Sequence, residues 1–531
     1  MGEVIMPAAD PAPVAAVPPV PEPRLSERLA LRIVQAGAIA VVLIATTHRL
    51  FDLDRFFVPK ELVLHVTAVL AGLLALRSMR IATRGDLALA GYLLLSVVSA
   101  LFAQNPYLAV RAVAVSASGI ILFWTGRALR EAGLERPLLN AIALAVVLAS
   151  ATALLQAYGL RLELFSLSRA PGGTLGNRNF IAHAAAFGFP AVLLAALRAR
   201  SRAGYLWAAF GAAIVTGSLV MTRSRAAWLA FAAMALVFLV AVFRFERRAV
   251  LRFLGVLVLL GGGVAAAVLV PNTLRWRSDN PYLESVKGVV NYEEGSGRGR
   301  LIQYRRSLLM SLRHPLFGVG PGNWAVEYPE HAARNDPSLN QSVPGMTFNP
   351  WPSSDWVAFV SERGVAAAAL LAFVFLSLVR AAMRGAPRTE AAPAWSRGTP
   401  ENAALVATVV AAVVAGAFDA VLLLGLPSLL VWTALGALAP AGGTKPRRWI
   451  AAVVLILATL GAVRSARQLA AMEIFATRSD RASLERAANL DPGNFRLHLR
   501  LARSGKRQQR CEHAEAARAL YPHASVARAL R

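Results

Sequence analysis

The sequence predicts an all-α polytopic membrane protein of about thirteen transmembrane helices, with a large helical loop on the non-cytoplasmic side. Three observations carry this reading. The 531 residues are 56% hydrophobic and 16% charged, with a mean hydropathy of +0.51, whereas soluble domains are about a quarter charged. From Leu31 onward, apolar stretches of about 17 to 25 residues follow one another, each long enough for a helix to cross roughly 30 Å of hydrocarbon. Basic residues, nearly all arginine, gather in every second connection between these stretches, as expected for loops retained in the cytoplasm.

Taken in order, residues 1–30 read as a disordered cytoplasmic tail. Their first part is mostly Pro, Ala and Val, and it lacks the basic start and cleavage site of a signal peptide. Residues 31–270 hold the first nine spans, at 31–48, 59–76, 86–103, 109–126, 137–157, 179–197, 204–221, 226–243 and 250–270. Residues 356–463 hold four more, at 356–379, 402–420, 422–440 and 449–463. The net charge of +26 raises the question of a nucleic-acid partner. Seven alternate segments, beginning at Arg24, Arg77, Arg127, Arg198, Arg244, Arg380 and Lys445, hold 23 of the 56 basic residues, so the charge is mainly a topology signal and no nucleic acid is expected. Thirteen spans leave the C-terminus outside. The short last span and a tail with 14 basic against 6 acidic residues keep twelve spans, with the tail inside, as the alternative.

Two pieces lie outside the spans. The loop 271–355 is nearly neutral, with nine basic and eight acidic residues, and LIQYRRSLLMSL within it has apolar positions at helical spacing. The tail 464–531 reads as short amphipathic helices broken at DPGN and near Gly505. It resembles one and a half tetratricopeptide repeats, too few for a free-standing stack, so it is expected to dock on something else, such as a protein partner. The single cysteine, Cys511, excludes a disulfide within the chain. No cluster has metal-ligand spacing such as H-E-x-x-H, so neither a metal nor a cofactor is expected.

Arginines on the non-cytoplasmic side break the charge rule. Arg223 and Arg225, in the turn between two spans, fit either a phosphate-binding pair or side chains that snorkel to lipid headgroups. Arg298, Arg300, Arg305, Arg306 and Arg313 crowd one predicted helix. Arg300 does not share a face with Arg305 or Arg306, so at most one or two of these should meet in a pocket. Gly318, Gly320 and Gly322 around Pro321 predict a rigid turn whose N–H groups are available to a ligand. GVGPG lacks the lysine and the strand-to-helix setting of a nucleotide loop. His183 and His314 read first as structural histidines. Trp324, Trp351 and Trp356 suit either sugar stacking or membrane anchoring. Few polar residues fall at mid-membrane depth, with Asp419 and Pro427 the best candidates, which argues against a transporter.

In this order, GGTLGNRNFIA (172–182), SRAAW (224–228), GRLIQYRRSLLMSLRHPLFGVGPGNW (299–324) and SSDWVAFVSERG (353–364) resemble the O-antigen ligase and polymerase superfamily. Its members are bacterial membrane glycosyltransferases that use polyprenyl-pyrophosphate-linked glycans. The resemblance implies a multi-pass protein of the bacterial inner membrane with loop and tail in the periplasm. It implies transfer of a glycan from a polyprenyl-pyrophosphate donor to an acceptor hydroxyl, in surface polysaccharide biosynthesis. The acceptor would be lipid A core, another glycan or a protein. Arg225 and Arg300 are then expected to hold the donor pyrophosphate, with Arg223 as an extra cation. The family's acceptor-activating histidine is replaced by Ser353, which cannot serve as a base near neutral pH without a partner. Three explanations compete: Asp355 takes the role of catalytic base, His314 or His331 reaches in, or the chain is a silent glycan-binding member of the fold.

Overall fold

The computed structural model describes residues 22–530 apart from 49, 52, 167–168, 243–246, 277, 289–294, 385–398 and 444–446. Residues 1–21 of the expected tail (1–30) and the arginines 244, 388 and 397 therefore lie outside the described residues, and residues 25–30 of that tail belong to the first helix. The fold is helical. Nine helices precede the long loop: α1 (Leu25–Leu43), α2 (Asp54–Ala75), α3 (Arg84–Ala100), α4 (Pro106–Glu131), α5 (Glu135–Ala157), α6 (Arg178–Leu197), α7 (Arg202–Thr222), α8 (Arg225–Val242) and α9 (Arg247–Leu269). The loop contains α10 (Pro281–Lys287), α11 (Gly295–Arg313) and α12 (Trp324–His331). Then come α13 (Asp355–Arg384), α14 (Thr399–Phe418), α15 (Gly425–Leu438) and α16 (Arg448–Thr477). The tail adds α17 (Arg481–Leu490), α18 (Phe495–Leu501), α19 (Arg507–Leu520) and α20 (Ser525–Arg528).

Among the described residues nine helices are long and apolar enough to cross a membrane: α2, α4, α5, α6, α7, α9, α13, α14 and α16. α1, α3, α8 and α15 occupy the positions of the other four expected spans and are shorter or less apolar. α6 is apolar all round and 94% of its spanning window is buried, so it is the central helix. The same measure is 17% for α9, which faces outward at the rim.

The basic connections meet at one end of the bundle. Arg127 pairs with Asp86 at 2.8 Å, and the Trp124 indole donates to the same carboxylate at 3.0 Å. That carboxylate also closes a capping box with Thr83 at the start of α3. Other arginines satisfy carbonyls at helix C-termini: Arg136 donates to the Arg198 carbonyl at 2.8 Å, and Arg130 to those of Leu438 and Ala439. Some of the arginine excess thus closes helix ends as well as setting topology.

The loop and the tail share the other end. Met310, Val319, Trp324, Ala325 and Tyr328 form a small core within the loop, where the Trp324 indole donates to Ser307 Oγ at 2.8 Å. The expected helix at LIQYRRSLLMSL is the C-terminal part of α11, which begins six residues earlier. α16 runs to Thr477, well beyond the expected end of its span at 463. α17 and α18 follow, with the turn between them at DPGN and a further break at Gly505, as expected. The tail leans on the loop. Ser525 N donates to the Pro344 carbonyl at 2.9 Å, Met346 packs beside Phe495 and Leu520, and Gln104 donates to the Ala519 carbonyl at 3.0 Å.

Candidate functional site

The GVGPG turn is spent on the protein itself. Val319 N and Gly320 N donate to the carbonyls of Ser361 and Glu362, both at 2.9 Å, and Gly322 N donates to Glu362 Oε2 at 2.8 Å. The expectation that these N–H groups are available to a ligand is corrected: each has a buried internal acceptor. Gly318 and Gly364 lie in the left-handed region, at φ 64° and 83°. A Cβ on Gly364 would stand 2.0 Å from the Leu316 carbonyl oxygen, so only glycine fits this kink in α13. Asn323 completes the anchor, accepting from Asn105 N at 2.7 Å and donating to the Asn105 carbonyl at 3.0 Å. The turn therefore fixes the C-terminal end of α11 to α13 and to the α3–α4 connection.

The N-terminal half of α11 lies over the ends of α8 and α14. The Tyr304 hydroxyl sits between the carbonyls of Ser353 and Ala417, at 2.6 and 2.9 Å. One turn earlier, Arg300 lines a small pocket together with Arg225, Gly288, Gly297 and Phe418. Arg225 begins α8 and donates to the Gly288 carbonyl after α10. Two of the three expected anion-binding arginines are thus brought together from distant parts of the chain.

Arg223 takes another direction. It ends α7 in the left-handed conformation, donates from Nε to Ser285 Oγ at 2.7 Å and lies 4.8 Å from the centre of the Trp276 ring. Arg178 approaches the same ring at 5.3 Å. Trp276, flanked by two guanidinium groups, is the aromatic that sequence reasoning passed over. Of the three tryptophans it singled out, Trp324 is buried in the loop core. Trp356 donates to the Val413 carbonyl at 3.0 Å, and Trp351 packs edge-on against Phe57.

Asp355 is fully buried, and its two carboxylate oxygens accept from Val421 N and Leu422 N, both at 2.9 Å. In this geometry the carboxylate clamps the α14–α15 turn. His314 is exposed at the far end of α11, about 20 Å along the helix from Arg300. His331 has Arg313, Glu330, His314 and His523 as its charged neighbours, and burial among them lowers its pKa. His331 lies near His523 of the tail.

Beside the arginine pocket stands a group that no motif announced. Asp419 follows Phe418 and is held by Ala420 N at 2.9 Å and Asn179 Nδ2 at 3.4 Å. Its Oδ2 lies 3.9 Å from Nε2 of His183 on α6. His183 is 1% exposed, neither ring nitrogen has a hydrogen-bond partner, and Arg300 is within electrostatic reach. Asn179 sits in the expected GNRNFIA motif, His183 directly follows it and Asp419 lies outside any motif, so only the packing joins them. Among the described residues, Glu327, Glu330 and His523 have donor atoms close enough for a metal, but they join loop to tail and line no part of the arginine pocket.

No curated protein matches the chain. The O-antigen ligase family model matches residues 210–372, a stretch running from α7 into α13 that contains Arg223, Arg225, Arg300, the GVGPG turn and Asp355. Over that segment the chain is similar to the O-antigen ligase family.

Proposed function

We propose that this protein transfers a glycan from a polyprenyl-pyrophosphate donor to an acceptor hydroxyl at the periplasmic face of the bacterial inner membrane. The observation that carries the reading is the pocket shared by Arg225 and Arg300, with the Asp419–His183 pair beside it. The acceptor oxygen forms a bond to the sugar's anomeric carbon, and the bond from that carbon to the pyrophosphate oxygen breaks. The electron pair leaves on the pyrophosphate. Arg225 and Arg300 hold that charge, the main contribution such a site makes to lowering the barrier. The acceptor proton passes to Asp419, which Asn179 orients and His183 backs, in place of the histidine whose position Ser353 occupies. Asp355 has a positioning role, holding the turn that carries Asp419. Arg223 acts at one remove, fastening α10 over the α7–α8 turn. The acceptor is lipid A core, a growing glycan or a protein, and the periplasmic tail is the surface for a protein partner.

A second reading, a silent glycan-binding member of the fold, draws on one observation, the serine at position 353. Reconstituted vesicles with a lipid-linked glycan and a candidate acceptor separate the two. Transfer by the wild type, falling on the order of 100-fold or more in Arg225→Ala, Arg300→Ala and Asp419→Asn, supports the proposal. Wild-type rates in both arginine variants overturn the pyrophosphate site. Donor binding with no turnover in the wild type establishes the silent reading.

A further inference from the structure

α11 presents two different faces. Arg298, Ile302, Arg305 and Arg306 fall within about 100° of one another around its axis, and Arg300 falls near the opposite side. The first four line an open cleft of about 430 Å³ whose other wall includes Asn335 and Pro337. Three arginines therefore share one cleft, more than the one or two expected, and none of them is the arginine that meets Arg225. Their positions span about 12 Å along the helix. Among the described residues none of the three forms an ion pair, and Arg298 and Arg305 are exposed. The acid in the cleft wall, Asp336, is 2% exposed and already accepts from Tyr328 OH at 2.9 Å and Ser338 N at 2.8 Å.

Next to Arg305 runs an apolar stripe: Leu301, Leu308, Leu309 and Leu312 are 52%, 49%, 45% and 75% exposed. The opposite face of the helix, with Gln303, Ser307, Met310 and Ser311, is buried against the protein. A helix facing bulk water does not carry such a stripe, whereas one lying in a bilayer interface carries both leucines and arginines on its outer face. α11 is tethered at that level. It packs against α13, whose Val365 and Leu376 point outward, and Tyr304 ties it to the last residues of α14.

We infer that α11 is an interfacial helix and that its Arg298–Arg305–Arg306 cleft binds the phosphate of an anionic lipid headgroup, with the leucines in the adjoining acyl region. The inference stands independently of the transfer reaction, since it uses the face turned away from Arg225. The test is native mass spectrometry of the full-length protein released from detergent, with phosphatidylglycerol, phosphatidylcholine or inorganic phosphate added. Each interfacial arginine is worth roughly fivefold in affinity for an anionic surface. Combined Arg298→Gln, Arg305→Gln and Arg306→Gln is therefore expected to lower phosphatidylglycerol retention on the order of 10- to 100-fold, with phosphatidylcholine weak throughout, and the triple Arg→Lys variant should recover most of it. Unchanged retention in the Gln variant overturns the inference. So does inorganic phosphate binding as tightly as the lipid, which assigns the cleft to a soluble anion. A bimane label at Leu312→Cys, in a Cys511→Ser background, reads the same geometry without altering the cleft. Quenching by spin-labelled lipid is expected, and quenching only by an aqueous agent refutes the interfacial placement.

Discussion

Asp355 separates a structural carboxylate from a catalytic one, and its replacement has a calculable cost. Asp355→Ala leaves the N–H groups of Val421 and Leu422 buried without acceptors. Each unsatisfied buried donor costs about 1–3 kcal/mol, so the two together cost roughly 2–6 kcal/mol. Asp355→Asn keeps one acceptor and turns an amide N–H₂ toward the other donor, for about half that loss. The same clamp is reached from the other side by Gly416→Ala, because a Cβ there would stand 2.7 Å from Asp355 Oδ2. The assay is thermal unfolding of the purified protein in detergent, with glycan transfer measured per folded molecule. The expected order of stability is wild type, then Asp355→Asn, then Asp355→Ala, with activity lost in step with folding. A fully stable Asp355→Ala protein that has lost transfer would refute the clamp and return Asp355 to the role of base.

Gly364→Ala should disrupt the α13 kink and abolish folded protein, since its Cβ meets a backbone oxygen at 2.0 Å; normal yield on size-exclusion chromatography counts against the turn's structural role. A periplasm-active reporter fused after Arg531 should be active, and one inserted between Arg198 and Arg202 inactive. A cytoplasmic signal from the first would favour the twelve-span topology. In the tail, His498 Nδ1 and His513 Nδ1 lie 3.1 Å apart, and burial lowers both pKa values below the ordinary histidine range, with Asp491 opposing it at His498 and Glu485 and Glu512 at His513. A lowered folded-state pKa means that the unfolded state binds more protons, so stability is full above about pH 6.5 and falls as pH drops below it. Hydrogen exchange in α18 and α19 should therefore quicken at pH 5.5 relative to 7.5 and lose that dependence in His513→Ala; equal rates at both pH values in the wild type count against it.

The helix train and the grouping of basic connections at one end of the bundle were legible because both are one-dimensional signals, apolar length and arginine placement. The ends were less so. The expected span at 449–463 stops at Arg464, but charge does not end a helix. α16 continues with Arg467 exposed and Gln468 buried until Asp480 caps the next element. The first expected span, 31–48, runs five residues past the end of α1 and starts six residues after Leu25, because a hydropathy window overlooks the polar first turn around Glu27. Helical spacing correctly set Arg300 apart from Arg305 and Arg306. It could not say which face meets Arg225, because that depends on where the loop is pinned. Asp419 and His183 were invisible as a pair for the same reason: they lie far apart in the chain, and only the packing of α6 against α14, which Asp419 follows, brings them to 3.9 Å.

The most specific stretch of the sequence, HPLFGVGPGNW, lines no part of the arginine pocket. Its work is mechanical: three left-handed glycines and Asn323 pin the loop to Ser361, Glu362 and Asn105. Once that end of α11 is fixed and Tyr304 rests between Ser353 and Ala417, Arg300 has one direction left, toward Arg225. Glycines and an asparagine far along the loop then constrain the arginine pocket as tightly as the arginines do. A loop of 85 residues with a net charge of one can thus place a concentrated positive site at the end of the bundle away from the basic connections, because α11 sorts its cations to opposite faces before the turn fixes which face looks inward.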